Sequence, residues 1–426
     1  MRILFSFILI IVLLSSCQQT NHTEISLNPP TEITAPNVEN TETSEQQNPS
    51  SQDNVEQNQD PIKQQLANMT LKQKIGQLFV VGFDGLKPNH KIKTLIQEYQ
   101  VGGIILFSRN IKTSEQLLQL TNDLKQLNQT NQVPLFISVD EEGGRVSRLP
   151  DNATKFPSNL FIGGKDDPTL TPHIGFTIGT ELSAHGFNMD FAPVIDIFSN
   201  PNNVVIGDRA YGKTPEIVEK HGLQFMSGLQ KSNIIPVVKH FPGHGDTLVD
   251  SHKGLPVVNK TIEELKTLEL RPFQQAIQEG ADVVMAAHIQ YPNIDKSGKP
   301  SSLSNVLITE LLRNEMDFEG VVITDDMEMG AIKKHYGSGE AAVNAIQAGV
   351  DLLLYSHQYD LQVEAIQTIE NALNLGDITE QQLNESVERI LRLKEKYGLS
   401  DQILDVEGLD VVGSEEHQAI RDKLLY

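Results

Sequence analysis

Short apolar runs alternate with longer amphipathic segments along most of the chain, from Pro61 onward. An apolar run of about four to eight residues, bounded by turn residues, is typical of a strand buried on both faces of a parallel sheet. Eight such runs occur, and amphipathic segments separate them. The predicted strands are Leu78 to Gly82, Gly103 to Phe107, Leu135 to Val139, Met189 to Pro193, Ile235 to Lys239, Val283 to Ala287, Val321 to Thr324 and Leu352 to Tyr355.

The alternation of strands and helices predicts the fold class. One intervening segment, Thr261 to Glu279, opens with a capping box in which Glu264 follows Thr261 by three residues. Eight strand–helix units are typical of an α/β chain folded as one (β/α)8 TIM barrel, which we expect at residues 61–400. A doubly wound open sheet is the alternative, but no Gly-rich dinucleotide fingerprint follows the first strand. For the short tail, residues 401–426, we expect a position on the barrel surface.

The amino terminus has a different pattern. An apolar run from Ile3 to Leu14, interrupted only by Ser6, is too short to span a bilayer and has the size of a signal-peptide core. It ends in Ser15-Ser16-Cys17, which resembles a bacterial lipoprotein signal and predicts a signal peptide at residues 1–16 and lipid attachment to Cys17. An ordinary signal peptide with a chance cysteine is the alternative. We therefore expect an exported protein, anchored to the cell membrane by lipid, with its catalytic domain outside the cytoplasm.

Composition adds three expectations. Residues 17–60 are rich in Asn, Gln, Thr, Ser, Glu and Pro and contain no Lys or Arg, which predicts a disordered polar and acidic linker. Cys17 is the only cysteine of the chain, so the exported domain has no internal disulfide. The formal net charge of -22 argues against nucleic acid as a partner.

The most unusual stretch of the chain, Lys239 to His252, follows the apolar run Ile234 to Val238. It holds three imidazoles, two carboxylates and one ammonium group, and loops at the carboxyl ends of barrel strands carry catalytic residues. One interpretation is a metal site. The other is proton transfer, in which Asp250 orients His252 and the imidazole acts as general acid and base near neutral pH. We favour proton transfer, because the histidine spacing matches no recognised ligand motif.

Ionisable residues also follow other predicted strands, where a barrel enzyme carries its catalytic groups. They are found at Asp140 to Arg148, at Asp190 and Asp196, at Gly207-Asp208-Arg209, at His288 and at Asp325-Asp326. A carboxylate opposite a His–Asp pair suits glycoside hydrolysis with retention, which needs a nucleophile and an acid/base flanking the anomeric carbon. An imidazole can replace the usual carboxylic acid in that role, because it titrates near neutrality.

Several motifs together resemble glycoside hydrolase family 3, in its β-N-acetylglucosaminidase branch. They are Lys239-His240-Phe241-Pro242-Gly243-His244-Gly245-Asp246, Asp250-Ser251-His252, Asp140-Glu141-Glu142-Gly143-Gly144-Arg145 and Ile323-Thr324-Asp325. The resemblance covers the chain from about Pro61 to Leu399. It implies a retaining, exo-acting enzyme that needs no cofactor or metal and removes terminal β-linked N-acetylglucosamine, in particular from fragments of peptidoglycan.

The resemblance also implies roles for individual residues. Asp325 would be the nucleophile, His252 the acid/base and Asp250 the partner of His252. Asp325 and Asp326 are adjacent, and alternation along a strand would let only one face the barrel mouth, so Asp326 would bond loop backbone instead. The residues implied to hold the sugar before the scissile bond are Asp140, Arg148, Arg209, Lys239 and His240.

Three alternative functions stay open from the sequence. A neutral imidazole repels phosphate less than a carboxylate does, so a phosphorylase on the same scaffold is the nearest alternative. A glycan-binding lipoprotein without activity is the second. A metal-dependent hydrolase built on the histidine-rich loop is the third.

Overall fold

The computed structural model describes residues 60–247 and 250–426, and all eight predicted strands are present. The predicted signal peptide, Cys17 and the linker up to residue 59 lie outside the described residues. Every strand residue is buried, as expected for strands covered on both faces. The strands are β1 Phe79–Val81, β2 Gly103–Ile105, β3 Phe136–Val139, β4 Met189–Asp190, β5 Ile235–Phe241, β6 Val283–Ala286, β7 Val321–Thr324 and β8 Leu353–Tyr355.

The strands form a single parallel sheet in the order β7-β6-β5-β4-β3-β2-β1-β8. Its two ends meet, because Ile323 of β7 forms a parallel bridge with Leu352, the residue before β8. The N–H of Thr324 also donates to the Leu352 carbonyl at 3.0 Å. The predicted (β/α)8 barrel is therefore confirmed, and the carboxyl ends of its strands surround one opening.

Helices surround the strands and connect them. Between β6 and β7 the helical segment Val306–Glu315 is of the π type. The α-helices are α1 Pro61–Asn68, α2 Leu71–Gln77, α3 His90–Gln97, α4 Ser114–Asn128, α5 Asn159–Lys165, α6 Thr171–Ala184, α7 Pro215–Lys231, α8 Ile262–Thr267, α9 Leu270–Gln278, α10 Gly330–Lys333, α11 Ser338–Ala348, α12 Tyr359–Leu375, α13 Glu380–Lys396 and α14 Glu415–Leu425.

The amphipathic segment predicted as one helix, Thr261 to Glu279, forms two helices, α8 and α9. Its capping box is present, since Thr261 accepts from the Glu264 amide and the Glu264 side chain accepts from the Thr261 amide. The break falls at Leu268, four residues before Pro272. In a continuous helix the ring of Pro272 would clash with the Leu268 carbonyl, and Pro272 has no N–H to donate to it. Proline is tolerated in the first turn of α9, so the chain begins a new helix there.

The tail folds back onto the barrel. Its helix α14 contacts α6 through Glu181, whose Oε1 accepts from the Gly413 amide at 3.0 Å and lies 2.9 Å from Nδ1 of His417. Within residues 60–247 and 250–426, no helix combines the length and the apolar character needed to cross a bilayer.

Candidate active site

The carboxyl ends of the barrel strands surround a cavity of about 350 Å³. This volume lies at the small end of the range for ligand sites, which is about 300–1,000 Å³. All but one of the predicted catalytic and sugar-binding residues line it, and the exception, Asp250, is bonded to His252. The predicted residues in the cavity wall are Asp140, Arg148, Arg209, Lys239, His240, His252 and Asp325.

Asp325 follows strand β7 at the floor of this cavity. Its Oδ1 accepts from the Asp326 amide at 2.8 Å, and its own amide donates to the Ala286 carbonyl of the neighbouring strand at 2.9 Å. Burial alone would raise the pKa of Asp325, but the imidazoles of His240 and His288 outweigh that effect and lower the pKa to about 2. Asp325 is therefore ionised at neutral pH, as a carboxylate nucleophile must be.

Asp326 also lines the cavity, although strict alternation along a strand would turn it away, and its carboxylate accepts from loop backbone amides, as predicted. Strand β7 ends at Thr324, and the alternation of a strand does not extend to the two residues beyond it. The oxygens of Asp326 are nevertheless occupied. Oδ1 accepts from the amides of Glu328 and Ser356 at 3.0 and 3.3 Å, and Oδ2 lies 3.2 Å from Nε2 of His357.

Lys239, Arg209 and two carboxylates form a buried ionic cluster. The Lys239 ammonium lies 2.6 Å from Asp140 and 2.7 Å from Glu142, and Arg209 donates to both oxygens of Glu142 at 2.8 and 2.7 Å. Burial would raise the pKa of Glu142, but the charges of Arg209 and Lys239 hold it well below its ordinary value. The cluster therefore fixes the donors of Lys239 and Arg209, and with them the acceptor Asp140, in the cavity wall.

Lys239 and His240 both face the cavity although they are consecutive residues of strand β5. Side chains of a regular strand point to opposite faces, but β5 is irregular here. Its pairing with β6 shifts register between Lys239 and Phe241, as at a β-bulge. This irregularity brings an ammonium group and an imidazole to the same side of the barrel.

Asp196, beyond strand β4, holds two histidines of the next strand and loop. Its Oδ2 lies 2.6 Å from Nδ1 of His240, and its Oδ1 accepts from the His244 amide at 2.6 Å. A carboxylate at Nδ1 selects the tautomer with a proton there, so Nε2 of His240 is the nitrogen left for a ligand. That Nε2 lies 3.4 Å from the Arg209 guanidinium.

Asp250 and His252 form the predicted pair on the loop after β5. Asp250 Oδ1 accepts from the His252 amide at 2.9 Å and lies 3.0 Å from Nδ1 of the ring. Partial burial would raise the pKa of Asp250, but its hydrogen bonds with His252 lower it. The His252 side chain is 68% exposed, so its remaining nitrogen is open to solvent and to a bound ligand. This is the arrangement of an oriented proton donor.

Arg148 lines the cavity at the end of the loop that follows β3. Its amide donates to the buried Glu141 carboxylate at 2.5 Å, and the next amide, of Leu149, donates to the same oxygen at 2.9 Å. Burial raises the pKa of Glu141 despite these bonds. Glu141 therefore positions the backbone that carries Arg148.

Sequence reasoning did not select Glu142 or Asp196, although both lie in motifs that it singled out. The available signal for Glu142 was its spacing of two from Asp140, which is compatible with a shared side of an extended chain. Metal ligation was the alternative for the histidine-rich loop. Over the two described ranges, no three His, Cys, Asp or Glu side chains are grouped as a metal site would require.

Comparison with known proteins identifies the family. The family described as Glycosyl hydrolase family 3 N terminal domain matches residues 70–393. The chain belongs to glycoside hydrolase family 3. Its membership confirms the resemblance noted in the motifs, and the match covers all eight strands of the barrel.

Proteins similar to this chain carry the names beta-hexosaminidase, β-N-acetylglucosaminidase and β-glucoside phosphorylase. Beta-hexosaminidase A of Pseudoalteromonas piscicida is 34% identical over 357 residues, covering 78% of this chain and 60% of that protein. A family 3 β-N-acetylglucosaminidase structure from Paenibacillus sp. str. FPU-7 superimposes with a TM-score of 0.81 at 43% identity, covering 84% of this chain and 68% of that one. The β-glucoside phosphorylase BglX superimposes with a TM-score of 0.78 at 26% identity, covering 85% of this chain and 66% of that one.

Removal of one charge from the ionic cluster of this family 3 barrel provides a stability prediction. Glu142 is 1% exposed and balances two cations, so Glu142→Gln leaves buried positive charge insufficiently paired. We expect the free energy of unfolding to fall by about 3 kcal/mol, measured by urea titration at neutral pH. The matched control is Glu216→Gln, because Glu216 also pairs with an arginine, at 2.7 Å from Arg271, but is 61% exposed. It should leave the unfolding midpoint unchanged.

Wild type and Glu142→Gln can also be compared as a function of pH. The folded-state pKa of Glu142 is depressed, so its ionic contacts stabilise the fold above the unfolded-state pKa and are lost as the pH falls toward the folded-state value. The stability difference between wild type and Glu142→Gln should be complete near neutral pH and should narrow below about pH 4.3, the ordinary Glu value. A difference that does not change on acidification would contradict the assignment.

Proposed function

We propose that this protein is a retaining, exo-acting β-N-acetylglucosaminidase, or β-hexosaminidase, that hydrolyses terminal β-linked N-acetylglucosamine. The observation that carries the proposal is the joint presence of an ionised Asp325 and the Asp250–His252 pair at one cavity. The names of the family 3 relatives support the sugar specificity. The chain covers 60% of the length of the Pseudoalteromonas relative. The activity is therefore proposed from the residues that line the cavity of this chain.

The proposed reaction has two displacements. In the first, a carboxylate oxygen of Asp325 bonds to the anomeric carbon as the glycosidic C–O bond breaks, and protonated His252 gives its proton to the departing oxygen. In the second, neutral His252 takes a proton from water, the water oxygen bonds to the anomeric carbon, and Asp325 leaves as a carboxylate. Two inversions return a β-configured sugar.

The ionic cluster and its neighbours supply the proposed sugar-binding groups. Asp140 can accept from hydroxyls, whereas Lys239 and Arg209 donate, and Nε2 of His240 faces the same space. Arg148 adds a second planar guanidinium to the wall. The side chains of the ionic cluster and of His240 are already ordered by their mutual contacts, so binding does not have to immobilise them.

We further propose that the natural substrates are peptidoglycan-derived fragments outside the cytoplasm. The signal for export and lipid attachment at Cys17 supports this location, as does the polar linker that follows it. Membrane attachment is testable by metabolic labelling with a fatty acid, which should label the wild-type protein and not Cys17→Ser.

A phosphorylase is the second candidate. It is favoured by the similarity to the β-glucoside phosphorylase BglX and by the use of an imidazole in place of an acidic carboxyl group. In that reaction phosphate would replace water in the second displacement and produce a sugar 1-phosphate.

One assay separates these functions. We expect the chain to release the aryl group from a β-N-acetylglucosaminide at least about tenfold faster than from the matching β-glucoside, and to produce free sugar. Added phosphate and EDTA should not change the rate or the product. Formation of a sugar 1-phosphate would establish the phosphorylase, loss of activity in EDTA would support the metal-dependent hydrolase, and no release from either substrate would support a glycan-binding protein.

A further inference from the structure

Ser251 is buried between the two members of the proposed acid/base pair, of which Asp250 is partly exposed and His252 exposed. Its relative exposure is 2%, whereas the side chains of Asp250 and His252 are 25% and 68% exposed. Ser251 is therefore the residue of this segment that packs into the protein. A proton donor on such a segment is held in place by the contacts of that residue.

Two contacts fix Ser251, and they come from different parts of the barrel. Its hydroxyl lies 3.1 Å from Nε2 of His244, on the loop after β5. Its carbonyl accepts from the Ala331 amide at 3.0 Å. Ala331 belongs to α10, the helix that follows strand β7 and Asp325. Ser251 thus connects the element that carries the proton donor to the element that follows Asp325.

His244 is itself rigidly placed. Its amide donates to Asp196 at 2.6 Å, and Nδ1 lies 2.9 Å from the Thr247 hydroxyl. Burial, together with the nearby His240, lowers the pKa of His244 to about 4, so the ring is neutral near pH 7. Asp196 also holds His240, and the same carboxylate therefore fixes one sugar-binding residue and the support of the proton donor.

Gly330, the residue before Ala331 on α10, also limits the position of the segment. A Cβ atom at Gly330 would lie 2.5 Å from the His252 carbonyl oxygen, well inside van der Waals contact. Lys334 also donates from its ammonium group to the Lys253 carbonyl. The backbone of the acid/base residue thus rests directly on α10.

We propose that Ser251 is a positioning residue, which sets the place of the Asp250–His252 pair through His244 and Ala331. This inference rests on the proposed function, since it concerns the proton donor of that reaction. Proton transfer requires the donor within hydrogen-bond reach of the leaving oxygen, and a displacement of about 1 Å costs up to about 100-fold in rate. The cost falls on substrates whose leaving group needs a proton.

The test compares leaving groups in the full chain. Ser251→Ala should lower kcat/KM for a β-linked N-acetylglucosamine disaccharide at least about tenfold, and for the dinitrophenyl glycoside at most about twofold. Gly330→Ala should give the same pattern, because the added Cβ pushes the His252 backbone away from α10. The controls are Ser232→Ala, which removes a hydroxyl bonded to the Leu229 carbonyl at 2.7 Å before β5, and Gly164→Ala, where a Cβ meets nothing within 4 Å.

Two results would overturn the inference. Equal losses on both substrates would indicate a general structural role, and unchanged kinetics in both variants would show that the segment needs no such support. The thermal transition of each variant is compared with that of its control. If either Ser251→Ala or Gly330→Ala does not fold, the kinetics of the other variant test the inference. Failure of the wild type on the dinitrophenyl glycoside would overturn the proposed function and the inference together, whereas wild-type turnover with equal losses overturns the inference alone.

Discussion

Asp325→Asn is expected to lose about 10⁴-fold or more in kcat on an aryl β-N-acetylglucosaminide, because the amide is neutral and a poor nucleophile. The change replaces one oxygen by nitrogen, so the packing around this partly buried residue is preserved. The rings of His240 and His288 lower the pKa of the Asp325 carboxyl group to about 2, so the wild-type side chain is ionised at neutral pH. Steady-state assays with enough enzyme to detect residual turnover measure the loss.

Asp326→Asn is the matched control for this prediction. The amide keeps an oxygen that can accept from the Glu328 and Ser356 amides, and it loses only the charge next to His357. We expect this variant to retain at least about one tenth of wild-type kcat, since the ion pair that it loses is with His357, whose side chain is half-exposed, and such pairs contribute little. If Asp326→Asn were the inactive variant and Asp325→Asn the active one, the nucleophile would be misassigned.

His252→Ala is expected to divide substrates by their leaving groups. The value of kcat/KM reports the first displacement, and it should fall about 10²- to 10⁴-fold for a disaccharide that needs a proton from His252. Dinitrophenolate leaves without protonation, so kcat/KM for the dinitrophenyl glycoside should change by no more than about threefold. Its kcat should still fall, because the second displacement has lost the base that activates water.

Azide supplies the control for the same variant. It is a nucleophile that needs no deprotonation, so it should restore kcat of His252→Ala on the dinitrophenyl glycoside and give a β-configured glycosyl azide. Wild type should show no such acceleration, because its water attack is already assisted. Equal loss of kcat/KM on both kinds of leaving group, without rescue by azide, would contradict the acid/base role.

The barrel could be predicted from sequence because its strands are buried on both faces. Runs such as Ile235 to Val238 and Val321 to Ile323 are apolar throughout, and their spacing by helical segments allows few topologies. The helix boundaries were less accessible. Hydrophobic periodicity alone does not predict the break at Leu268, because that break depends on the local effect of Pro272.

The site was predicted as a set of residues but not as a network. Motifs indicated Asp140, Lys239 and His240, whereas the supporting roles of Glu142 and Asp196 depend on contacts with other side chains that the sequence pattern does not show. The shared orientation of Lys239 and His240 depends on the register shift in β5, which no alternation rule predicts. Such contacts join residues far apart in the chain, and only the folded geometry reveals them.

Trapping of the glycosyl-enzyme tests the central claim most directly. His252→Ala incubated with the dinitrophenyl β-N-acetylglucosaminide should accumulate the covalent intermediate, because formation is fast and hydrolysis slow. Mass spectrometry should then find one added N-acetylglucosaminyl group, with peptide fragmentation assigning it to Asp325 and azide removing it. Release of dinitrophenol with no labelled protein, or a label on a residue other than Asp325, would contradict the account.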